Sequence, residues 1–71
     1  MPRYYFHVKR GQVTVLDHDG VELANFDEAI KEAARRAEEI ASTDFLQGIT
    51  ASSRSVTVAD DNWRKMIEFP F

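Results

Sequence analysis

Between Asn25 and Gly48 the chain keeps one helical period without interruption, and on both sides of that segment the period drops to two. Phe26, Ile30, Ala33, Ala37, Ile40 and Ala41 recur on one side of the predicted helix, while Lys31, Glu32, Arg35, Arg36, Glu38 and Glu39 fill the other. Asn25 stands three residues before Glu28, which makes it the N-cap of a capping box, and Asp27 and Glu28 suit the positive end of the helix dipole. Gly48 is the natural stop, so Phe45 and Leu46 are expected to close over the end of the core in the last turn. A helix with one apolar stripe needs one surface to cover it.

The flanking runs supply that surface. Tyr4, Phe6 and Val8 alternate with Tyr5, His7 and Lys9, and "QVTVLD" alternates after them. A hairpin turning at Arg10-Gly11 would set Val8 opposite Val13 and Phe6 opposite Val15. "DHDG" at 17–20 is a turn, since Asp17 can bond forward to the backbone and Gly20 can take a positive φ. After the helix come the polar connection "ITASSR", the run "SVTV", the turn residues "ADDN" and the run "KMIEFPF". Val56 and Val58 are expected to face Ile67 and Phe69. Residues 1–71 are therefore read as a single small α+β domain of ββαββ order, a four-stranded sheet with one long helix packed on one face. The first and last strands, being the most apolar, are expected at the centre. The expected core is Tyr4, Phe6, Val8, Val13, Val15, Phe26, Ile30, Ala33, Ala37, Ile40, Val56, Val58, Ile67 and Phe69.

At 71 residues the chain can build only one thin core. Its composition, 44% apolar and 30% charged, is that of a globular chain. With no cysteine there is no disulfide framework, thiolate metal site or cysteine nucleophile, and the reducing cytoplasm is the expected compartment. No apolar run approaches the roughly 20 residues of a membrane span, and the aromatic start lacks the pattern of a signal peptide. A net charge of -3 argues against a general positive field that would hold the chain on nucleic acid or anionic lipid.

Chemistry-bearing groups are few. His7 and His18 are the two imidazoles, and "DHDGVE" gathers Asp17, His18, Asp19 and Glu22 without the spacing of a calcium loop. Ser52, Ser53 and Ser55 have no glycine elbow around them and no acid placed to orient a base. Gly11, Gly20 and Gly48 are isolated, so no phosphate-binding loop exists. No catalytic, cofactor-binding or metal residue is assigned, and a non-catalytic role is expected. What remains is the sheet face that a single helix cannot cover. Arg3, Tyr5, His7 and Lys9 line it on the first strand, joined by Thr14, Leu16, Met66 and Glu68. An aromatic and basic strand resembles the way single-stranded RNA is stacked, but Glu68 sits where phosphate would pass and the RNP pattern is missing. The face reads better as a contact surface, with Arg3, Tyr5, His7, Leu16, Met66 and Glu68 as its candidate residues. Its expected partner is an unidentified protein or a second copy in a weak homodimer, in an interaction or regulatory module.

"MPRYYFHV" at the start, "DHDGVEL" before the helix and the terminal "FPF" together resemble a family of short uncharacterised proteins, a domain of unknown function encoded mainly in soil alphaproteobacteria. The resemblance spans essentially the whole chain and implies a ββαββ fold and a bacterial cytoplasmic setting. It carries no catalytic or binding residue across. The pair Trp63-Arg64 stands where that family pattern leads one to expect smaller residues.

Overall fold

The computed structural model describes residues 1–48 and 53–71; most of the "ITASSR" connection, Ser52 included, lies outside the described residues. Among the described residues six elements follow one another: β1 (Arg3–Arg10), β2 (Val13–Val15), β3 (Val21–Glu22), α1 (Phe26–Leu46), β4 (Arg54–Ala59) and β5 (Lys65–Pro70). The helix starts where the capping pattern places it, because Asn25 Oδ1 accepts the Glu28 N–H at 3.0 Å. The sheet is antiparallel in the order β2-β1-β4-β5, with β3 also pairing with β1. The architecture is thus an α+β domain with one long helix on a four-stranded sheet.

The strand order differs from the sequence expectation. Arg54–Ala59 lies beside β1 at the centre, and the more apolar Lys65–Pro70 forms an edge. Small side chains explain the exchange, since Ser55, Val56, Val58 and Ala59 of β4 are buried on both faces of the sheet. Pro70, which has no N–H to give a ladder, is tolerated at an edge. The register within this second hairpin is the expected one, Val56 against Phe69 and Val58 against Ile67, with a bulge between Val58 and Ala59.

The first hairpin also shifts. Gly11 takes φ 59 as the first residue of a two-residue loop with Gln12, the place where a mirror-type hairpin turn wants glycine. Val8 consequently faces Val15, and Val13 faces Arg10. The two-residue displacement keeps each side chain on its expected face, yet Val13 and Val15 are 64% and 63% exposed rather than core. The helix lies over β4, reaches β5 on one side and the side chains of Tyr4 and Phe6 on the other, and leaves β2 uncovered.

Ala29, Ala33 and Ala37 are the buried spine of α1, so its backbone approaches the sheet closely over Tyr4, Phe6, Val56 and Val58. Ile30 is turned off this line and Ala29 takes its place, while Phe26 and Ile40 flank the spine partly buried. Phe45 and Leu46 do not close over the core; both are 83% exposed. The residue that turns inward in the last turn is Asp44, fully buried. Arg54 Nη1 donates to its Oδ2 at 3.2 Å. Arg10 Nη2 stands 3.1 Å from Oδ1, near enough for attraction but poorly aimed for a hydrogen bond. Because Arg10 and Arg54 are direct cross-strand partners, one carboxylate clamps the end of the helix to both central strands.

Candidate interaction face

On the outer side of the sheet the first requirement is to close a gap. The edge strand breaks after Val15 and resumes at Val21 two residues out of register, as Val8 opposes Val15 but Tyr4 opposes Val21. Backbone groups of β1 opposite the break would be left without a ladder partner. Asp17 supplies one: its Oδ2 accepts the Phe6 N–H at 3.1 Å, and its own N–H donates to His7 Nδ1 at 3.0 Å. The other oxygen, Oδ1, accepts the N–H groups of Asp19 and Gly20, as the turn reading expects. Burial pulls the Asp17 carboxyl upward, but the donors Gly20, Phe6 and Asp19 and the field of Arg36 outweigh it and leave the group below the usual aspartate value. His7 Nδ1 accepts here, so the ring is oriented with Nε2 as its outward nitrogen.

The second loop, residues 60–64, folds back over the same strand. Trp63 N–H donates to the Asp60 carbonyl at 2.9 Å and Asp60 Oδ1 accepts the N–H groups of Asn62 and Arg64, which together wind a tight turn. Trp63 closes that turn in the left-handed region at φ 62, a position that ordinarily takes glycine or asparagine. Its indole lies over β1, 5.0 Å from the Tyr5 ring and 5.0 Å from His7, at 29° to each. His18 from the "DHDG" loop stands 5.7 Å away, tilted at 44°. Arg3 joins the two loops from below: its N–H donates to Asp61 Oδ1 at 2.9 Å, and its guanidinium donates to the Asp19 carbonyl and to Glu22.

Of the residues expected on this face, Arg3, Tyr5 and His7 are brought together. Leu16 follows β2, half exposed, and Met66 opens toward a groove of about 220 Å³ shared with Pro2, Tyr4 and residues 60–62. Glu68 lies across Thr57 from His7 on the β4–β5 ladder. Hydrogen bonds from Lys65 and Ser55, with the field of Lys9, hold its carboxyl below the usual glutamate value. Sequence reasoning left Trp63, His18, Asp17 and Gly20 out of the face. A bulky aromatic in an otherwise polar turn was the available signal for Trp63. Among the described residues no cluster of His, Asp and Glu is placed to hold a metal ion, and no helix is long and apolar enough to cross a membrane. Among the described residues no nucleophile is set against a base, and no catalytic constellation is evident.

No curated protein and no solved structure matches the chain. A family model does, under the description "Domain of unknown function (DUF6894)", over residues 3–71. With nearly the whole chain inside that match, from the first residue of β1 to Phe71, the protein belongs to the DUF6894 family.

Proposed function

We propose that this domain is a non-catalytic interaction module of the bacterial cytoplasm, working through the outer face of its sheet. The observation that supports the reading is Trp63. A left-handed backbone at a bulky residue costs on the order of 1–3 kcal/mol, and a turn needed only to reverse the chain would use glycine. Here the strained position carries the largest side chain of the molecule, spread over Tyr5 and His7 and still 44% exposed. An indole half-buried against its own sheet and half open is suited to be covered by something else.

Trp63→Gly separates the two roles of this residue. Relief of backbone strain should offset much of the lost stacking, so the variant should fold with a net loss well below the roughly 3–5 kcal/mol expected for Phe6→Ala. Immobilised parent and variant would be compared for what they retain from a bacterial lysate. Proteins held by the parent and lost by Trp63→Gly support the module, and if the retained protein is the chain itself the module is a homodimer. Identical retention by the two would sink the assignment of the face. A second reading, single-stranded nucleic acid, is favoured by the three rings Tyr5, His7 and Trp63 beside Arg3 and Lys9. Retained RNA, with Trp63 emission quenched by oligonucleotides in a steeply salt-dependent way, would replace the protein partner with that ligand.

A further inference from the structure

Among the described residues the outer surface of Trp63 has no cation over it, unlike the rings of Phe6 and Phe71. Arg36 covers the Phe6 ring at 4.6 Å and Arg54 covers Phe71 at 5.2 Å, whereas no guanidinium or ammonium is placed over Trp63 among the described residues. The two loops that meet at this indole are acidic. Residues 17–20 and 60–64 carry Asp17, Asp19, Asp60 and Asp61 against the single cation Arg64. Asp17 and Asp60 are committed to holding their own turns. Asp19 makes no side-chain hydrogen bond among the described residues, and Asp61 uses Oδ1 alone, on the Arg3 N–H. Arg3 is occupied by the Asp19 carbonyl and Glu22.

From this complementarity we propose that Trp63 receives an arginine or lysine side chain from a basic segment of a partner protein, with Asp19 and Asp61 as its counter-charges. The inference rests on the reading of the outer face as a contact surface and names the chemistry of what binds there. An electron-rich indole face attracts a cation, and the stacked Tyr5 and His7 hold that face in a fixed plane so that little ordering remains to be done on binding. The same carboxylates repel a phosphate backbone, which sets the preference against nucleic acid.

The protein has one tryptophan, so its emission reports this site alone. The full chain would be titrated with a short peptide of arginines spaced by glycine and serine, with its glutamate counterpart, and with a mixed-sequence single-stranded oligonucleotide. The arginine peptide should change Trp63 emission and shift the amides of Tyr5, His7 and Asp61, and should weaken several-fold between about 50 and about 300 mM salt. Asp19→Asn combined with Asp61→Asn, which keeps an acceptor for Arg3, should weaken it about three- to tenfold while leaving the melting temperature within a few degrees. Equal responses to arginine and glutamate peptides, or tighter binding of the oligonucleotide, would overturn the proposal. So would an unresponsive arginine peptide in a protein whose lysate partners still depend on Trp63. That last result removes the basic ligand and leaves the contact surface standing.

Discussion

At Gly20 the backbone passes close beneath side chains of the outer face. A Cβ built there would lie 2.8 Å from Arg3 Cγ and 2.9 Å from Tyr5 Cε1, and φ is 71, whereas Gly11 has a similar φ of 59 with open space around it. Gly11→Ala should therefore cost the backbone penalty alone, about 1 kcal/mol, and Gly20→Ala about 2–3 kcal/mol because Tyr5 must also move. Urea midpoints would measure the difference, and aromatic NMR shifts of Tyr5 and Trp63 should change only in the second variant. Equal midpoints would mean that Arg3 and Tyr5 yield without resistance. Local chemistry at this scale was readable in the sequence: Asp17 bonding forward and Gly20 at positive φ follow from residue type. The other half of Asp17, its bonds to Phe6 and His7, was not, because they exist only once the edge strand has slipped by two residues. Trp63 on Tyr5 was hidden for the opposite reason, since turn preferences argue against a tryptophan at that position.

The last turn of α1 is held by charge where an apolar contact was expected. Asp44 is enclosed, while Arg10 keeps 43% of its side chain exposed and Arg54 20%. Removing a partner from a buried carboxylate is worse than neutralising the carboxylate, which leaves Arg10 able to hydrate and Arg54 bonded to the amide oxygen. Arg54→Met should thus destabilise by about 3 kcal/mol, and Asp44→Asn by less. Thermal melts of the two variants would check the order, and a reversal would show that the arginines, not Asp44, bear the cost of separation. Element type was plain in the sequence, from the Asn25 cap and from the change of period at both ends of the helix. Register and strand order were not. Val13 and Val15 share a face in either register, so alternation does not separate a turn at Arg10-Gly11 from one at Gly11-Gln12. Apolar content favoured the last strand for the centre, but what decides is fit beneath an alanine-lined helix, where Val56 and Val58 are enclosed while Phe69 and Ile67 pack at its side.

For the molecule as a whole, the two lowered carboxylates that are partly buried link stability to acid. Hydrogen bonds from Arg35, and then from Arg36, push Glu32 down to about 2 against the opposing effect of burial, and Asp17 lies below its usual value. Each binds its proton less readily folded than unfolded, so its contribution is complete above a pH of about 4.5 and is lost as pH falls toward the folded value. Melting temperature should be flat from about pH 5 to 7 and should drop progressively below about 4. Glu32→Gln should shallow that drop, and an unchanged acid limb in the variant would remove Glu32 from the account. The order of the central strands bears on time as well as on stability. Residues 3–10 find their main partner in residues 54–59, with β2, β3 and the whole helix threaded between them. During synthesis β2, β3 and the helix are therefore made before β4, the strand that completes the centre of the sheet. The central strand pair forms by closing a long loop, so slow folding is expected for a chain of this size.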